Sequence, residues 1–398
     1  MGHVLDAGSF SNPVPGMKLD SSEVLVVVGE ASGDEHAAAL YRELKKQLPG
    51  VQGFGLAGDE LLEEGVDSVG HASNIAVVGL FEVLKVLRRA KKLFAQLLSE
   101  VDKRGTRVAI LVDAPGFNLR LAKQLSRRGV RVLYYISPQF WAWREGRVKT
   151  VRKFVDKMLV LFPFEVEWYR KRGVDAVHVG HPLVDSVPQI SGTWDHEPSP
   201  ERYTVTLMPG SRMSEINRLL PELAGAAEQI AESLDVQFKV IAAPNVQPEV
   251  LTRPFAEKGL DIDLVSSFRY QAIAESHLVL CASGTATLEV GLLKTPMLVL
   301  YKLNGFTHQI GKWVVKTPYV SLVNLVLRQQ AVPELLQHQA EATVIAGEAI
   351  DLLSNRTRVE QMRQRLAELR LTLGTPGASR RAAQEVASVI GECEHQAG

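Results

Sequence analysis

Residues 107–118 read RVAILVDAPGFN. The run Arg107–Val112 is almost wholly Val, Ile, Leu and Ala, and it ends in an Asp and a Pro-Gly turn. A short continuous apolar run of this kind is the pattern of a strand buried on both faces. A helix near Asn118–Arg128 follows it. The same alternation recurs outward in both directions. Glu23–Val28 (EVLVVV) precedes a helix over Gly33–Leu48, and Arg131–Ile136 (RVLYYI) and Lys157–Leu161 (KMLVL) continue the strand series. Around 185–202 the pattern breaks into DSVPQISGTWDHEPSPER, rich in Pro, Ser and charge. The alternation then resumes with strands at Thr204–Met208, Val236–Ala243, Ile262–Val265, His277–Cys281 and Pro296–Tyr301, and with helices over Ser214–Ser233 and from Thr285. Strands separated by helices imply a parallel sheet covered on both faces. The expected fold is therefore α/β, with two Rossmann-like, doubly wound domains facing each other across a cleft. The expected boundaries are a disordered extension at 1–22, a first domain at 23–187, a linker at 188–202, a second domain at 203–358, and a helical tail at 359–398.

Composition narrows the function classes. The chain has 398 residues, 46% hydrophobic and 23% charged, the balance of a globular protein. Lys+Arg and Asp+Glu are both 45, so the formal net charge is zero, which argues against a general nucleic-acid binder. Two distant cysteines, Cys281 and Cys393, supply neither a disulfide framework nor a CxxC metal site, and they fit a reducing cytosol. Residues 1–22 lack the basic start and apolar core of a signal peptide, and Met17 is a candidate alternative start. No stretch is apolar for long enough to span a bilayer. Residues 75–98 (IAVVGLFEVLKVLRRAKKLFAQLL) combine surplus apolar surface with Lys85, Arg88, Arg89, Lys91 and Lys92. That suits either an amphipathic segment on an anionic membrane or a helix buried on two sides.

Several strand ends carry candidate chemistry. After the first strand comes Gly29-Glu30-Ala31-Ser32-Gly33-Asp34, where glycines at a strand–helix junction let a ligand approach the backbone. The plain alternative is a turn in which Ser32 or Asp34 caps the helix. Asp113 lies at the carboxyl end of its strand, where a general base would take a proton from an acceptor hydroxyl, although Asp is also a common turn residue. The loop Ser137-Pro138-Gln139-Phe140-Trp141-Ala142-Trp143 carries three aromatics suited to an acyl or sugar pocket or to a satellite core, and basic residues from Arg144 to Lys153 follow. In the second half, Pro209-Gly210-Ser211-Arg212 opens a helix and suits a diphosphate clamp. Ala282-Ser283-Gly284-Thr285 offers backbone amides to phosphate, with Glu289 placed to accept from ribose hydroxyls. Asp261-Ile262-Asp263 spells DxD but starts a strand, away from the cleft, and Gly311-Lys312 lacks the spacing of a phosphate-binding loop.

Taken in order, GEASGD at 29–34, VVGLFEVL at 77–84, DAPGFN at 113–118, SPQFWAW at 137–143, FPFE at 162–165, GHPLVD at 180–185, PGSR at 209–212, ASGTATLE at 282–289 and TPYVSLVNL at 317–325 resemble the lipid-A-disaccharide synthase family, glycosyltransferase family 19 of the GT-B architecture. The resemblance runs from about Val24 to about Leu336. It implies an inverting transfer from UDP-2,3-diacylglucosamine to the 6-hydroxyl of 2,3-diacylglucosamine 1-phosphate, without a metal or other cofactor. It implies Asp113 or Glu82 as base, with Asn118 orienting acceptor or base. It places Gly210, Ser211, Arg212, Ser283, Gly284, Thr285, Glu289 and Asn324 at the donor. The acceptor side takes Gly29, Glu30, Ser32, Gly33, Asp34, Ser137, Trp141 and Trp143. It implies that the helical tail at 359–398 packs back on the first domain. It implies a cytoplasmic protein peripherally associated with the inner membrane, and it admits a homodimer. The family's Pro before the Asn of VSLPN is Val323 here. Two other readings stay open: another UDP-sugar GT-B enzyme (a lipid-linked cell-wall transferase or an epimerase), or a peripheral membrane protein that binds nucleotide or lipid without catalysis.

Overall fold

The computed structural model describes residues 22–74, 83–142, 145–192, 194, 200–243, 246–302 and 318–396. In the first half the strands are β1 (Glu23–Val28), β2 (Gln52–Ala57), β3 (Asp67–His71), β4 (Val108–Val112), β5 (Arg131–Tyr135), β6 (Lys157–Val160) and β7 (Ala176–His178). They form one sheet in the order β3-β2-β1-β4-β5-β6-β7, and every pairing is parallel. The connecting helices are α1 (Ala31–Gln47), α2 (Asp59–Glu63), α3 (Val83–Arg104), α4 (Pro115–Ser126), α5 (Val148–Phe154), α6 (Pro163–Arg170) and α7 (Leu183–Ser186). Strand β4 is buried along its whole length, as its unbroken apolar sequence demands.

The second half repeats the plan. Strands β8 (Tyr203–Met208), β9 (Val236–Ile241), β10 (Ile262–Val265), β11 (Leu278–Ala282), β12 (Met297–Tyr301) and β13 (Glu334–Leu336) form a parallel sheet in the order β10-β9-β8-β11-β12-β13. Its helices are α8 (Met213–Ser233), α9 (Pro248–Ala256), α10 (Arg269–Ala274), α11 (Ala286–Leu292), α12 (Leu322–Leu327), α13 (Ala342–Ser354) and α14 (Arg356–Leu373). A last helix, α15 (Ala378–His395), follows.

Strand order reverses once in each sheet, between β1 and β4 and between β8 and β11. Loops on either side of such a reversal leave in opposite directions and open a crevice at the carboxyl ends of the strands. The loops after β1 and β4, and those after β8 and β11, are the ones whose residues stood out in the sequence.

Four strands escaped the apolar-run pattern. Strand β2 reads QGFGLA, and a Cβ at Gly55 (φ +149°) would lie 2.0 Å from the Val26 carbonyl oxygen, so this position requires glycine. Strand β3 is a polar edge, DSVGH, while β7 and β13 have three residues each.

The tail corrects one expected boundary. Residues 359–398 do not dock as a unit on the first domain. In α14, Met362, Leu366, Leu369 and Leu373 belong to the second-half core. In α15, Ala382, Val386, Val389 and Ile390 pack with Ala37, Ala38 and Tyr41 of α1. The chain therefore crosses between halves at 374–377, where Gly374 and Gly377 have positive φ. The GHPLVD segment latches this crossing. His181 N donates to Leu373 O (3.1 Å), and Asp185 accepts from Gly377 N (2.6 Å) and Ala378 N (3.3 Å). Arg370 donates to the carbonyls of Val184 and Val187, and Arg381 to those of Val179, Thr375 and Pro376. Phe162, Leu183, Val184 and Val187 complete the second-half core from the first half. In the expected linker, Trp194 is buried and its indole donates to the His277 carbonyl (2.8 Å).

Gly180 has φ +87°, and a Cβ there would lie 2.3 Å from Arg381 Nη2, whereas Gly65, with φ +88°, has nothing within 4 Å of that position. Gly65→Ala carries backbone strain alone, about 1 kcal/mol or more. Gly180→Ala adds displacement of the arginine that latches the crossing. Its urea midpoint should fall clearly further than that of Gly65→Ala, and equal shifts would remove the latch from any role in stability.

Candidate active site

The two crevices meet in one cleft of about 1350 Å³. Loops of both halves line it, together with Pro376, Gly377, Ser379 and Arg380 at the crossing.

On the first-half wall, Asp113 and Ala114 have φ of 49° and 44°, and Ile136, at the end of the neighbouring strand, has φ 64°. Non-glycine residues in this region each cost on the order of 1 kcal/mol and concentrate at functional sites. The strained loop is pinned by its backbone. Asn118, fully buried, donates from Nδ2 to the carbonyls of Val112 (3.0 Å) and Asp113 (2.8 Å), and the Tyr134 hydroxyl donates to the Asp113 carbonyl. These bonds spare the Asp113 carboxyl, which lines the cleft. Burial, and then the nearby Glu30 carboxylate, raise its pKa above the ordinary Asp value. Asn118 thus holds the loop that carries Asp113.

Glu30, Ser32 and Gly33 line the cleft, and Gly29 is the buried residue before them. Asp34 does not reach it. Its carboxylate is buried and accepts from Gly58 N (2.8 Å) and Glu60 N (2.9 Å), so it ties α1 to the start of α2. Ser137 lines the cleft, and its hydroxyl pairs with that of Tyr169 (2.7 Å). Trp141 does not line it. Its indole donates to Glu165 Oε1 (3.0 Å) and its ring meets Phe164 edge-on at 5.1 Å. Glu165 also accepts from Phe162 N (3.1 Å), and burial pushes its pKa up to about 7. Trp141 therefore braces the Ser137–Gln139 wall from behind. Glu82, Trp143 and the apolar stretch before Val83 lie outside the described residues. Further along α3, Leu93, Leu97 and Val101 belong to the first-half core, with Phe94 and Leu98 packed against it.

On the second-half wall, Gly210 (φ +116°) lets the Glu215 carboxylate fold back, for a Cβ there would lie 2.8 Å from Glu215 Oε2. That oxygen accepts from Ser211 N (3.3 Å) and Arg212 N (3.4 Å). The Arg212 side chain is 75% exposed, 3.6 Å from Glu215, and lines the cleft. Ser283 is already satisfied: its N–H donates to Leu300 O (2.9 Å) and its hydroxyl to Val320 O (3.1 Å). The expected amide cradle therefore starts one residue later. The amides of Gly284, Thr285 and Ala286 have no partner among the described residues. Glu289 is buried, lines the cleft, and pairs with Arg269 (2.7 Å).

Asn324 departs from its expected role at the donor. It is fully buried, Nδ2 donates to Val332 O (2.9 Å) and Glu334 Oε1 (2.7 Å), and Oδ1 accepts from Ala331 N (2.8 Å) and Val332 N (3.0 Å). With both ends of its amide committed, it fixes the 318–334 region, and its neighbour Leu322 is the residue that lines the cleft.

Arg269, Tyr270, His36 and His181 line the cleft without having been singled out. The first two sit just past the carboxyl end of β10, a position that in itself marks cleft residues. His181 accepts from Leu183 N at Nδ1 (3.1 Å), so its proton is on Nε2, and burial drives its pKa down to about 3. It presents a neutral ring to the cleft wall.

Known proteins share this plan. The family described as lipid-A-disaccharide synthetase matches residues 24–389. The lipid-A-disaccharide synthase of Myxococcus xanthus is 41% identical over 372 residues, covering 92% of this chain and 97% of the relative. That of Geobacter sulfurreducens is 38% identical over 377 residues, covering 94% and 98%. Among solved structures, MurG of Acinetobacter baumannii superposes with a TM-score of 0.61 at 13% identity, covering 92% of this chain and 99% of MurG. A UDP-GlcNAc 2-epimerase of Neisseria meningitidis bound to UDP-GlcNAc reaches 0.60 at 10% identity, covering 93% and 100%. These two show the fold, which is GT-B. With the family matched along nearly the whole chain and relatives about 40% identical over their full lengths, the chain belongs to the lipid-A-disaccharide synthase family, glycosyltransferases that form the lipid A disaccharide.

Proposed function

We propose that the chain joins UDP-2,3-diacylglucosamine to 2,3-diacylglucosamine 1-phosphate in a single inverting displacement. Asp113 takes the proton of the acceptor 6-hydroxyl as that oxygen bonds to the donor anomeric carbon. The bond from that carbon to the diphosphate breaks, and UDP leaves with the electron pair. The product is the β-1,6 disaccharide 1-phosphate. The observation that carries this reading is the Asp113 loop: a strained, pinned backbone that sets Asp113 at the cleft. Across from it, Arg212 and the amides of Gly284–Ala286 supply positive charge for the departing diphosphate, so the reaction needs no metal. Glu289 accepts from the ribose hydroxyls.

The lipid substrates set the place of work. Burial at about 0.8 kcal/mol per CH₂ keeps diacylated sugars in the bilayer. Among the described residues no helix is long and apolar enough to cross a membrane. The chain reaches these substrates from the surface of the cytosolic leaflet, and the surplus of apolar residues in the sequence at 75–98 supports this reading. Arg89, Lys91 and Lys92, all exposed, face the anionic headgroups.

Disaccharide formation should proceed in EDTA with the acylated donor and fail with UDP-GlcNAc. A requirement for added divalent metal would overturn the charge assignment. Asp113→Asn and Arg212→Ala should each lower kcat/KM roughly 10²-fold. Activity near wild type at either position would overturn the role given to that residue. The pH profile tests the base more finely. A base works ionised, so kcat/KM rises with pH through its pKa. Burial and Glu30 raise that pKa, so the rise lies above the ordinary Asp value of about 3.9. Glu30→Gln removes the like charge and should move the rise to lower pH. An unmoved profile would take the titration away from Asp113.

A further inference from the structure

Glu289 must stay charged to hold a ribose well, yet its surroundings oppose the charge. Its side chain is only 10% exposed, and burial raises its pKa. Behind it lies the Cys281 thiol on β11, buried and held protonated by that burial. Toward α12 and α14 the neighbours of α11 are apolar, with Val323, Leu366 and Leu369 crowding Gly291. Across the cleft, Glu35 of α1 adds like charge. The opposing influence comes from α10. Arg269 Nη2 lies 2.7 Å from Glu289 Oε1, and the Tyr270 hydroxyl lies 3.4 Å from the same oxygen. The guanidinium is itself steadied over the Tyr270 ring, 4.9 Å from its centroid. Both contacts fall on Oε1, while Oε2 has no partner among the described residues.

We propose that Arg269 is the positioning residue of nucleotide recognition: it holds Glu289 as a carboxylate through Oε1 and so leaves Oε2 open to a ribose hydroxyl. The inference rests on the reading of Glu289 as the ribose acceptor. It gives a role to an arginine that no sequence motif marks. It also explains why a half-exposed arginine sits over an almost fully buried acid at the cleft wall, where an exposed pair alone would contribute little. A hydroxyl accepted by a charged oxygen is a stronger bond than one accepted by a neutral acid, so the arginine acts on affinity without touching the sugar.

The test is calorimetric titration of the full chain with UDP and with 2′,3′-dideoxy-UDP, from about pH 5.5 to 8.5. The two ligands share the same phosphates, whose last ionisation falls near pH 6. The ratio of their Kd values therefore isolates the ribose contact. In the wild type the ratio should be about tenfold or more at the alkaline end. Acceptance by the carboxylate is present above the pKa of Glu289 and lost below it. Removing the guanidinium raises that pKa, so in Arg269→Gln the ratio should begin to fall toward one at a higher pH than in the wild type. Arg269→Lys keeps the charge and should restore the wild-type profile, and it serves as the test if Arg269→Gln does not fold. Glu289→Gln should give a small ratio at every pH. A wild-type profile in Arg269→Gln together with a small ratio in Glu289→Gln would overturn the role of Arg269 and leave Glu289 as ribose acceptor. A wild-type ratio in Glu289→Gln would overturn both.

Discussion

Parallel pairing constrains everything else in this molecule. Two parallel strands cannot be joined by a tight turn, so each pair needs a crossover that returns to the same end of the sheet. Every strand then finishes at one edge, and the loops that leave that edge are free of sheet bonding. Where strand order reverses, between β1 and β4 and again between β8 and β11, those loops part and leave space. The residues of the cleft follow from this placement. Glu30 and Asp113 stand at one reversal, Arg212 and Glu289 at the other.

A cleft between two bodies keeps its shape only as well as the bodies are joined. Here the joint is built from polar bonds around an apolar seam. Leu183, Val184 and Val187 leave the first half to complete the second-half core. Asp185, on the same short helix, receives the amides of Gly377 and Ala378 as the chain comes back. Arg370 and Arg381 spend their donors on backbone carbonyls at the two ends of the crossing. A buried carbonyl without a donor costs about 1–3 kcal/mol. The crossing therefore has a preferred geometry, and Pro376, Gly377 and Arg380, which it carries, become part of the cleft wall.

The sequence told most where residues act through their own local pattern. Strands β1, β4 and β11 were legible because buried parallel strands are continuous apolar runs. Asp113, Arg212 and Glu289 were legible because they follow such runs directly. Strand β2 was hidden by two glycines, one of which exists to clear the Val26 carbonyl. Asp34, Asn324 and Trp141 misled for a common reason. Each sits in a segment that shapes the cleft, yet each is spent on a partner brought from elsewhere: the Gly58 and Glu60 amides, the 331–334 backbone, and the Glu165 carboxylate. Nothing in a linear pattern separates a polar residue that meets a ligand from one that holds the loop meeting it. Arg269 failed in the opposite sense, because its significance depends on a glutamate twenty residues later.

The two walls of the cleft divide the electrostatic work. On the first-half wall acids crowd one another: Glu30 raises Asp113, and both line the cleft. Like charge and burial make Asp113 a better proton acceptor near neutral pH than a solvated aspartate. On the second-half wall Arg212, Arg269 and free amides offer positive charge. The proposed inverting displacement would use this asymmetry, since negative charge would begin on the attacking oxygen and end on the leaving diphosphate. Glu289, like Glu215 beside Arg212, is an acid among these cations. Its pairing with Arg269 neutralises it at long range while leaving one oxygen to act locally. On the proposed reading, the cationic wall would then hold a diphosphate without repulsion from the residue that would hold the ribose.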